Sequence, residues 1–377
     1  MSDGPKTLGV VGLGLLGASI AETTRKRHPD WKIVGVSSSI TIKEALASKL
    51  IDEGVDYPDA RNILEQCDLI LLCTPIDNIL GLLKVWTEKP LNLKPGTVIS
   101  DVGSTKSIIC AYGKKAFPAE SNGTFIGSHP MAGSEKTGIK ARDAHLFENA
   151  AWILCPEKDD SDKIKSALSI LEKFVQGLGA RTLTLAPAVH DILVADASHL
   201  PQLLATVLAS STGQYDRWPK VLEIAGGGFR DMTRLAASSF AVWEPILRTN
   251  KDFILDAMKS YRAELESVEV ALEESEGAEG LAPIFSEANT LRSQFNAPRK
   301  GFSSPTTEIL IDLEDKPGAL LHALSPLSAA GLNILDLEIL KVREGEEGTL
   351  MMGFHKPEEA QTALDLLAKS GHKARLR

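Results

Sequence analysis

The segment Ile126-Gly127-Ser128-His129-Pro130-Met131-Ala132-Gly133-Ser134-Glu135 sets a titratable imidazole among small residues, shortly before a carboxylate. Imidazole is the side chain whose ordinary pKa lets it accept or give a proton near neutrality. Proline disfavours helical backbone at the residue before it, so His129 is expected in extended or turn backbone, presented by a loop. A lone histidine is more often a packing or surface residue than a catalyst. The rest of this chain gives His129 chemical company.

Gly12-Leu13-Gly14-Leu15-Leu16-Gly17 follows the apolar run Leu8–Val11 and precedes a segment containing Ala18 and Ile20. In a strand–turn–helix setting, G-x-G-x-x-G is the dinucleotide-binding fingerprint. The first glycine permits the turn, the second lets backbone approach a pyrophosphate, and the third allows close helix–strand packing. The helix start then offers unpaired N–H groups and a positive dipole end to the phosphates.

Such folds usually place an acidic residue at the end of the second strand, on the ribose hydroxyls of NAD. This chain has Val36-Ser37-Ser38-Ser39 there. Serine hydroxyls suit a ribose hydroxyl or a 2′-phosphate, and Lys43 is the candidate cation for the latter, so NAD and NADP both stay open. Thr74-Pro75 and Asp101-Val102-Gly103-Ser104-Thr105-Lys106 follow further apolar runs and occupy strand ends that face the ligand crevice. Ser104 is equally suited to cap the next helix.

The elements that position these groups fall into three blocks. Residues 5–186 alternate apolar runs with helical patterns, the form of a parallel sheet covered by helices. Strands are expected at Thr7–Val11, Lys32–Val36, Leu69–Cys73, Thr97–Ser100, Thr124–Gly127, Ala151–Cys155 and Arg181–Leu185. Residues 187–298 lose the strand signal. There Tyr261, Leu265, Val268 and Leu272 form one apolar stripe, and a homodimer interface is expected. Residues 299–305 read as a linker. Residues 306–377 carry a strand–helix–strand–strand–helix–strand order, the ferredoxin-like split β-α-β unit. In it Leu335, Leu337 and Ile339 share a face, 344–348 form a hairpin turn, and Gly371 closes the last helix.

The chain has 377 residues, 43% of them hydrophobic and 24% charged, which suits a globular protein of two or three domains. A net charge of -9 argues against nucleic acid or anionic membrane as partner and for a small ligand in a cleft. Cys67, Cys73, Cys110 and Cys155 form no C-x-x-C pair and no metal-ligand spacing, so reduced thiols and no metal are expected. The N-terminus lacks the charged start and apolar core of a signal peptide, and cytoplasmic location is expected.

Taken together these motifs resemble the prephenate dehydrogenase family and its arogenate-using relatives. The matching pieces are Gly12–Gly17, Asp101–Lys106, Gly127–Gly133, Ser198-His199-Leu200-Pro201, and Gly228-Phe229-Arg230-Asp231-Met232-Thr233-Arg234-Leu235-Ala236 with Trp243. The last seventy or so residues resemble an ACT domain, through Asp315-Lys316-Pro317-Gly318-Ala319-Leu320 and Gly331-Leu332-Asn333-Ile334. The resemblance implies an α/β Rossmann domain, an all-α dimerisation domain and an α+β ferredoxin-like ACT domain.

It also implies an oxidative decarboxylation. Hydride leaves C4 of a cyclohexadienol for the nicotinamide of NAD or NADP while CO2 leaves the opposite carbon. By the resemblance, His129 accepts the hydrogen bond of the 4-hydroxyl and Ser104 contacts the same hydroxyl and the nicotinamide. Arg234 binds a substrate carboxylate, and His199 contacts substrate from the helical side. Glu135 and Asp231 gate the pocket, and Trp243 walls it. Gly12, Leu13, Gly14, Leu15, Leu16, Gly17, Ser37, Thr74, Pro75 and Asp101 contact the dinucleotide. Asp315, Pro317, Gly318 and Asn333 hold an amino-acid effector, for which tyrosine, the end product, is the candidate.

Duller roles stand beside these. Arg234 and Asp231 are spaced to pair on one helical turn, and His199 and Trp243 are equally suited to core packing. Family members commonly have a second histidine where this chain has Gln202. Two other readings are weighed. A β-hydroxyacid dehydrogenase needs a lysine in the helical block, where residues 187–240 offer only Lys220. A non-catalytic sensor of cofactor and amino acid has no use for Ser104, His129 and Arg234 together. Prephenate and arogenate are not distinguished.

Overall fold

The structure, a computed structural model, describes residues 6–133, 136–157, 161–214, 216, 218–274, 278–293, 307–314, 316–341 and 348–376. Two compact units divide it, Met1–Pro283 and Ile284–Arg377.

The first unit holds β1 (Thr7–Val11), β2 (Lys32–Val36), β3 (Glu53–Val55), β4 (Leu69–Leu72), β5 (Thr97–Asp101), β6 (Gly123–Pro130), β7 (Ala151–Cys155) and β8 (Arg181–Thr184). They form one eight-stranded sheet in the order β3-β2-β1-β4-β5-β6-β7-β8. Strands β1 to β6 run parallel, β7 is antiparallel to β6, and β8 follows β7 in parallel. The sheet is therefore mostly, and not wholly, parallel. A parallel return needs a crossover, usually a helix; between β6 and β7 the described residues supply only the short 3-10 turn Ile139–Ala141. Strand β3 was absent from the expected set because three residues containing Glu53 and Gly54 make no apolar run.

Leu69 and Leu71 pack into one core while Ile70 and Leu72 pack into another on the opposite face. Strands buried on both faces read as unbroken apolar runs, as β4 does. The chain leaves β1 toward β2 and β3, then returns to β4 on the other side of β1. That reversal is the switch point at which such sheets open a ligand crevice beyond their carboxyl ends.

The three glycines of the fingerprint divide their labour as expected. Gly12 has φ +98°, and a Cβ there would sit 2.7 Å from the carbonyl oxygen of Cys73. A Cβ at Gly17 would lie 1.9 Å from the Gly12 carbonyl oxygen, whereas one at Gly14 meets no atom within 4 Å. Gly14 thus faces open space at the start of helix Leu15–Arg27, where a pyrophosphate would approach.

Beyond β8 the first unit is helical. Its longest apolar helix, Pro187–Gly213, meets the length and composition of a bilayer span. His190, Asp191 and His199 lie within it and are buried in the protein; ionisable groups at bilayer depth cost about 2.5–3.5 kcal/mol each, and here they have protein partners instead. On helix Lys251–Glu274, Tyr261, Leu265 and Leu272 are exposed, so these positions of the apolar stripe are left uncovered by the described residues.

The second unit holds β9 (Thr307–Leu313), β10 (Asp336–Lys341), β11 (Gly348–Phe354) and β12 (Ala374–Leu376), with helices Ala319–Ala329 and Pro357–Lys369. Strand order is β10-β11-β9-β12, antiparallel throughout. Ile309, Ile311, Leu350, Met352 and Phe354 meet Ala323, Leu327, Ala363 and Leu367 in its core. Gly371, at φ +84°, follows the last helix as its stop. Leu337 and Ile339, which share a face of β10, are exposed. Most of the expected hairpin turn and the 299–305 linker lie outside the described residues.

The fingerprint geometry predicts a contrast between two variants. Gly14→Ala should fold with unchanged thermal stability yet weaken dinucleotide binding at least about tenfold, a loss of about 1.4 kcal/mol. Gly17→Ala should lose both stability and binding. Fluorescence titration with dinucleotide, beside thermal unfolding, checks this; wild-type affinity in Gly14→Ala would contradict it.

Candidate active site

His129 lies on β6, paired with Ile153 of β7, at the carboxyl end of the sheet. The expected loop is therefore a strand end, although the extended backbone that Pro130 demands is present. Strand β6 is held there by buried polar contacts. The Ser128 N–H donates to Asp101 Oδ1 at 3.0 Å, and its hydroxyl donates to the Asp101 carbonyl at 2.5 Å. The Trp152 indole N–H donates to Ser128 Oγ at 3.0 Å. Lys106, fully buried, pairs with Asp101 and donates to the Ser128 carbonyl at 2.7 Å.

Asp101 was expected on the cofactor. Its carboxylate instead faces inward and is fully buried, accepting also the Gly103 N–H at 2.8 Å. A buried charge demands such partners. One carboxylate thus ties the backbone preceding Ser104 to the backbone preceding His129. Ser104 itself is half-buried and does not cap helix Ser107–Ala116.

The cap comes from the helical region. Asp191 accepts the N–H groups of Lys106 at 2.7 Å and Ser107 at 2.8 Å, across 85 and 84 positions. Its other partner is His190 Nδ1 at 2.8 Å, and His190 Nε2 lies 2.9 Å from His129 Nδ1. Burial opposes charge on Asp191, but hydrogen bonds from His190, from Ser107 and from the two backbone N–H groups hold its carboxyl below the ordinary value.

Burial, then the neighbours His190, Lys106 and His199, push the His129 imidazole well below its ordinary value. Burial likewise lowers His199 to about 4, against the pull of Asp191. Both rings are neutral at pH 7. Asn250 fixes the state of His199: its amide donates to the Asp191 carbonyl at 2.9 Å and lies 3.0 Å from His199 Nδ1. A carbonyl only accepts, so the amide nitrogen faces this side and Nδ1 takes its other N–H. His199 therefore carries its proton on Nε2. Trp243 stands edge-on to His199, with centroids 5.9 Å apart.

The remaining expected residues are less gathered. Arg234 is exposed on the turn Arg234–Ala237, and among the described residues it forms no ion pair with Asp231, which is also exposed. Gln202 donates to the Leu235 carbonyl at 2.9 Å and so steadies that turn. Glu135 lies outside the described residues.

Toward the dinucleotide, Leu13 is buried and Leu15 and Leu16 pack on the core from the glycine loop. Ser37 is buried at the end of β2, and the exposed Pro75 precedes helix Ile76–Glu88. Thr74 Oγ1 is buried with no protein partner. The open Gly14 backbone and this orphaned hydroxyl fit a bound dinucleotide.

His190, Asp191, Asn250 and Lys106 had not been singled out as site residues. The available signal was a His-Asp pair inside an apolar helix, since a buried carboxylate must find partners. In the second unit, Lys316, Pro317, Gly318, His322 and His372 help line a depression of about 590 Å³; Asn333 is not in its lining, and Asp315 lies outside the described residues.

Sheet, glycine cradle and imidazole-bearing crevice together define a dinucleotide-dependent oxidoreductase. Comparison with known proteins narrows the class. Residues 20–184 match the family model "Prephenate dehydrogenase, nucleotide-binding domain", 186–287 match "Prephenate dehydrogenase, dimerization domain", and 307–366 match "ACT domain". The chain is 32% identical to prephenate dehydrogenase of Bacillus subtilis over 360 residues, covering 95% of this chain and 94% of that one. It is 30% identical to prephenate dehydrogenase of Lactococcus lactis, covering 97% and 98%. The Synechocystis arogenate dehydrogenase structure superposes with TM-score 0.67 at 29% identity, over 77% of this chain and 99% of that one. The chain belongs to the prephenate dehydrogenase family, with a C-terminal ACT domain. The β-hydroxyacid dehydrogenase reading falls away.

Lys106→Met would leave Asp101 charged and unpaired inside the protein. We predict a loss of about 3–5 kcal/mol in denaturant unfolding, part of it recovered in the double variant with Asp101→Asn. A single variant as stable as wild type would contradict the role given to this pair.

Proposed function

We propose that this chain oxidatively decarboxylates prephenate to 4-hydroxyphenylpyruvate, with His129 as the group that handles the 4-hydroxyl proton. The observation that carries this reading is a neutral imidazole fixed at the carboxyl end of β6, on the same edge of the sheet as the glycine loop that follows β1. The dinucleotide, when bound, supplies the hydride acceptor for C4. Neutral His129 accepts the hydroxyl proton as the C4–O bond gains carbonyl character; such assistance is worth about 10²–10⁴-fold. When the C1–carboxylate bond breaks and the ring becomes aromatic, His129 returns the proton to the phenolate oxygen. Ser104, which follows β5, is assigned to share that hydroxyl. His199 offers an N–H from the helical side, and the Arg234 fork suits a substrate carboxylate. Asp231 is assigned to the pocket mouth and Trp243 to its wall; the gating role expected of Glu135 falls outside the described residues.

We assign NAD as the preferred cofactor. Asp56, at the end of β3, holds Ser39 Oγ at 2.6 Å, and this bond and the Tyr57 N–H keep its carboxyl below the ordinary value. A carboxylate beside the Ser37–Ser39 loop repels a 2′-phosphate. Arogenate is the second reading for substrate, favoured by the Synechocystis likeness.

Formation of NADH or NADPH with each dienol tests this reading. We expect turnover with prephenate, a lower KM for NAD than for NADP, and a fall of roughly 10²–10⁴ in kcat for His129→Asn with dinucleotide affinity unchanged. Because His129 is depressed below 6.5, it gains its proton only well below that pH. The kcat/KM profile should therefore stay flat from pH 8 down through 6.5; a limb at or above 6.5, or unimpaired His129→Asn, would overturn the assignment.

The exposed stripe of Tyr261, Leu265 and Leu272, with the dimerisation-domain match, supports a homodimer. The Pro317–Gly318 depression supports tyrosine as feedback effector, and the family's soluble metabolic members support the cytoplasm as location. Light scattering should give twice the 40.6 kDa chain mass, and calorimetry should register tyrosine on the full chain; a monomer, or no heat with tyrosine, would remove the respective assignment.

A further inference from the structure

The proton state of His129 rests on two residues outside the proposed pocket. We propose that His190, itself held by Asp191, is a positioning residue that fixes the tautomer of His129, leaving the Nε2 lone pair for the substrate hydroxyl. This rests on His129 being the group that handles the hydroxyl proton.

The relay begins at helix Ser107–Ala116. Asp191 takes the N–H groups of Lys106 and Ser107 on its two oxygens, an anion at a helix start. A carboxylate in that position only accepts, so His190 Nδ1, 2.8 Å away, must carry a proton. In the neutral ring Nε2 then holds a lone pair. His129 Nδ1 lies 2.9 Å from that atom with the rings tilted by 66°, so it must donate. One proton on Nδ1 of neutral His129 leaves Nε2 as the base.

The groups facing this chain support the neutral form. His190 and Asp191 are fully buried. The nearby Lys106 ammonium, paired with Asp101, opposes further positive charge, and burial keeps His199 neutral. Were His190 protonated on both nitrogens, it would donate to His129 Nδ1 and put the His129 proton on Nε2, the wrong atom. When the O–H bond of the substrate breaks and an N–H bond forms at His129 Nε2, the new imidazolium already donates its Nδ1–H toward His190 and the Asp191 carboxylate behind it. The arrangement follows the logic by which a carboxylate orients a catalytic histidine, lengthened by one ring.

Asp191→Asn removes the charge at the end of the relay. Asp191 Oδ1 takes both the Lys106 N–H and His190 Nδ1 while Oδ2 takes the Ser107 N–H, so asparagine, with one oxygen, gives up one side of the cap, and the bond to His190 with it when the NH2 replaces Oδ1. We expect kcat to fall roughly 10²–10⁴-fold, with dinucleotide affinity near wild type and a lowered unfolding temperature from the weakened cap. His190→Gln serves as a second variant that leaves the cap alone, and it should lower kcat more than it alters KM. Nitrogen-15 NMR of the histidine rings in the wild-type chain reads the tautomer directly and does not depend on either variant folding. It should show His129 protonated at Nδ1 and bare at Nε2. His129 protonated at Nε2 in that spectrum, or wild-type kcat in both variants while His129→Asn is impaired, would overturn the relay alone. Unimpaired His129→Asn would overturn the reading beneath it.

Discussion

The buried pair of Asp101 and Lys106 is the constraint on which the geometry of the crevice depends. Neither charge reaches water, so each has to be matched within the protein. Asp101 spends its oxygens on Gly103, Ser128 and Lys106, and Lys106 gives a second donor to the Ser128 carbonyl. Those bonds join the end of β5, the start of the following helix and the end of β6 into one rigid corner. His129 is the next residue out. A surface loop would let that ring wander; a strand end pinned on both sides does not, and pre-set geometry is what such a crevice needs.

The second dependence crosses from sheet to helices. Asp191 sits on Pro187–Gly213 and caps a helix of the sheet region, while Asn250, on a further helical segment, reaches back to the Asp191 carbonyl and to His199. A cap of this kind is worth about 0.5–2 kcal/mol. Its larger consequence is registration. The same contacts that close the helix start also set His190 against His129 and His199 against Trp243. The two imidazoles end with complementary roles, a bare Nε2 on His129 and an N–H on His199. Helices and sheet form one site from two structural parts.

Much of this was legible in the sequence because it is local. β4 reads as a strand since both of its faces are buried, and Gly12, Gly14 and Gly17 read as a phosphate loop since their spacing has one mechanical purpose. The ferredoxin-like order of the second unit followed from alternation and turn residues alone. What failed was long-range. Asp101 looked outward-facing because strand ends usually meet the ligand, yet its partner Lys106 turned it inward. Ser104 looked like a cap because it is near a helix start, yet the cap came from Asp191. His129 looked loop-bound because β7, whose antiparallel pairing extends β6, leaves no periodic signal upstream. His190 and Asn250 gain meaning only through contacts 51 to 61 positions away, which no window of sequence contains.

A ternary complex with dinucleotide and a phenolic product analogue is the most direct test of the account. It predicts His129 Nε2 within about 2.6–3.2 Å of the phenolic oxygen, with the nicotinamide over the carbon that bears that oxygen and His190 still bonded to Nδ1. A phenolic oxygen bound by other groups, with the His129 ring turned away, would contradict it.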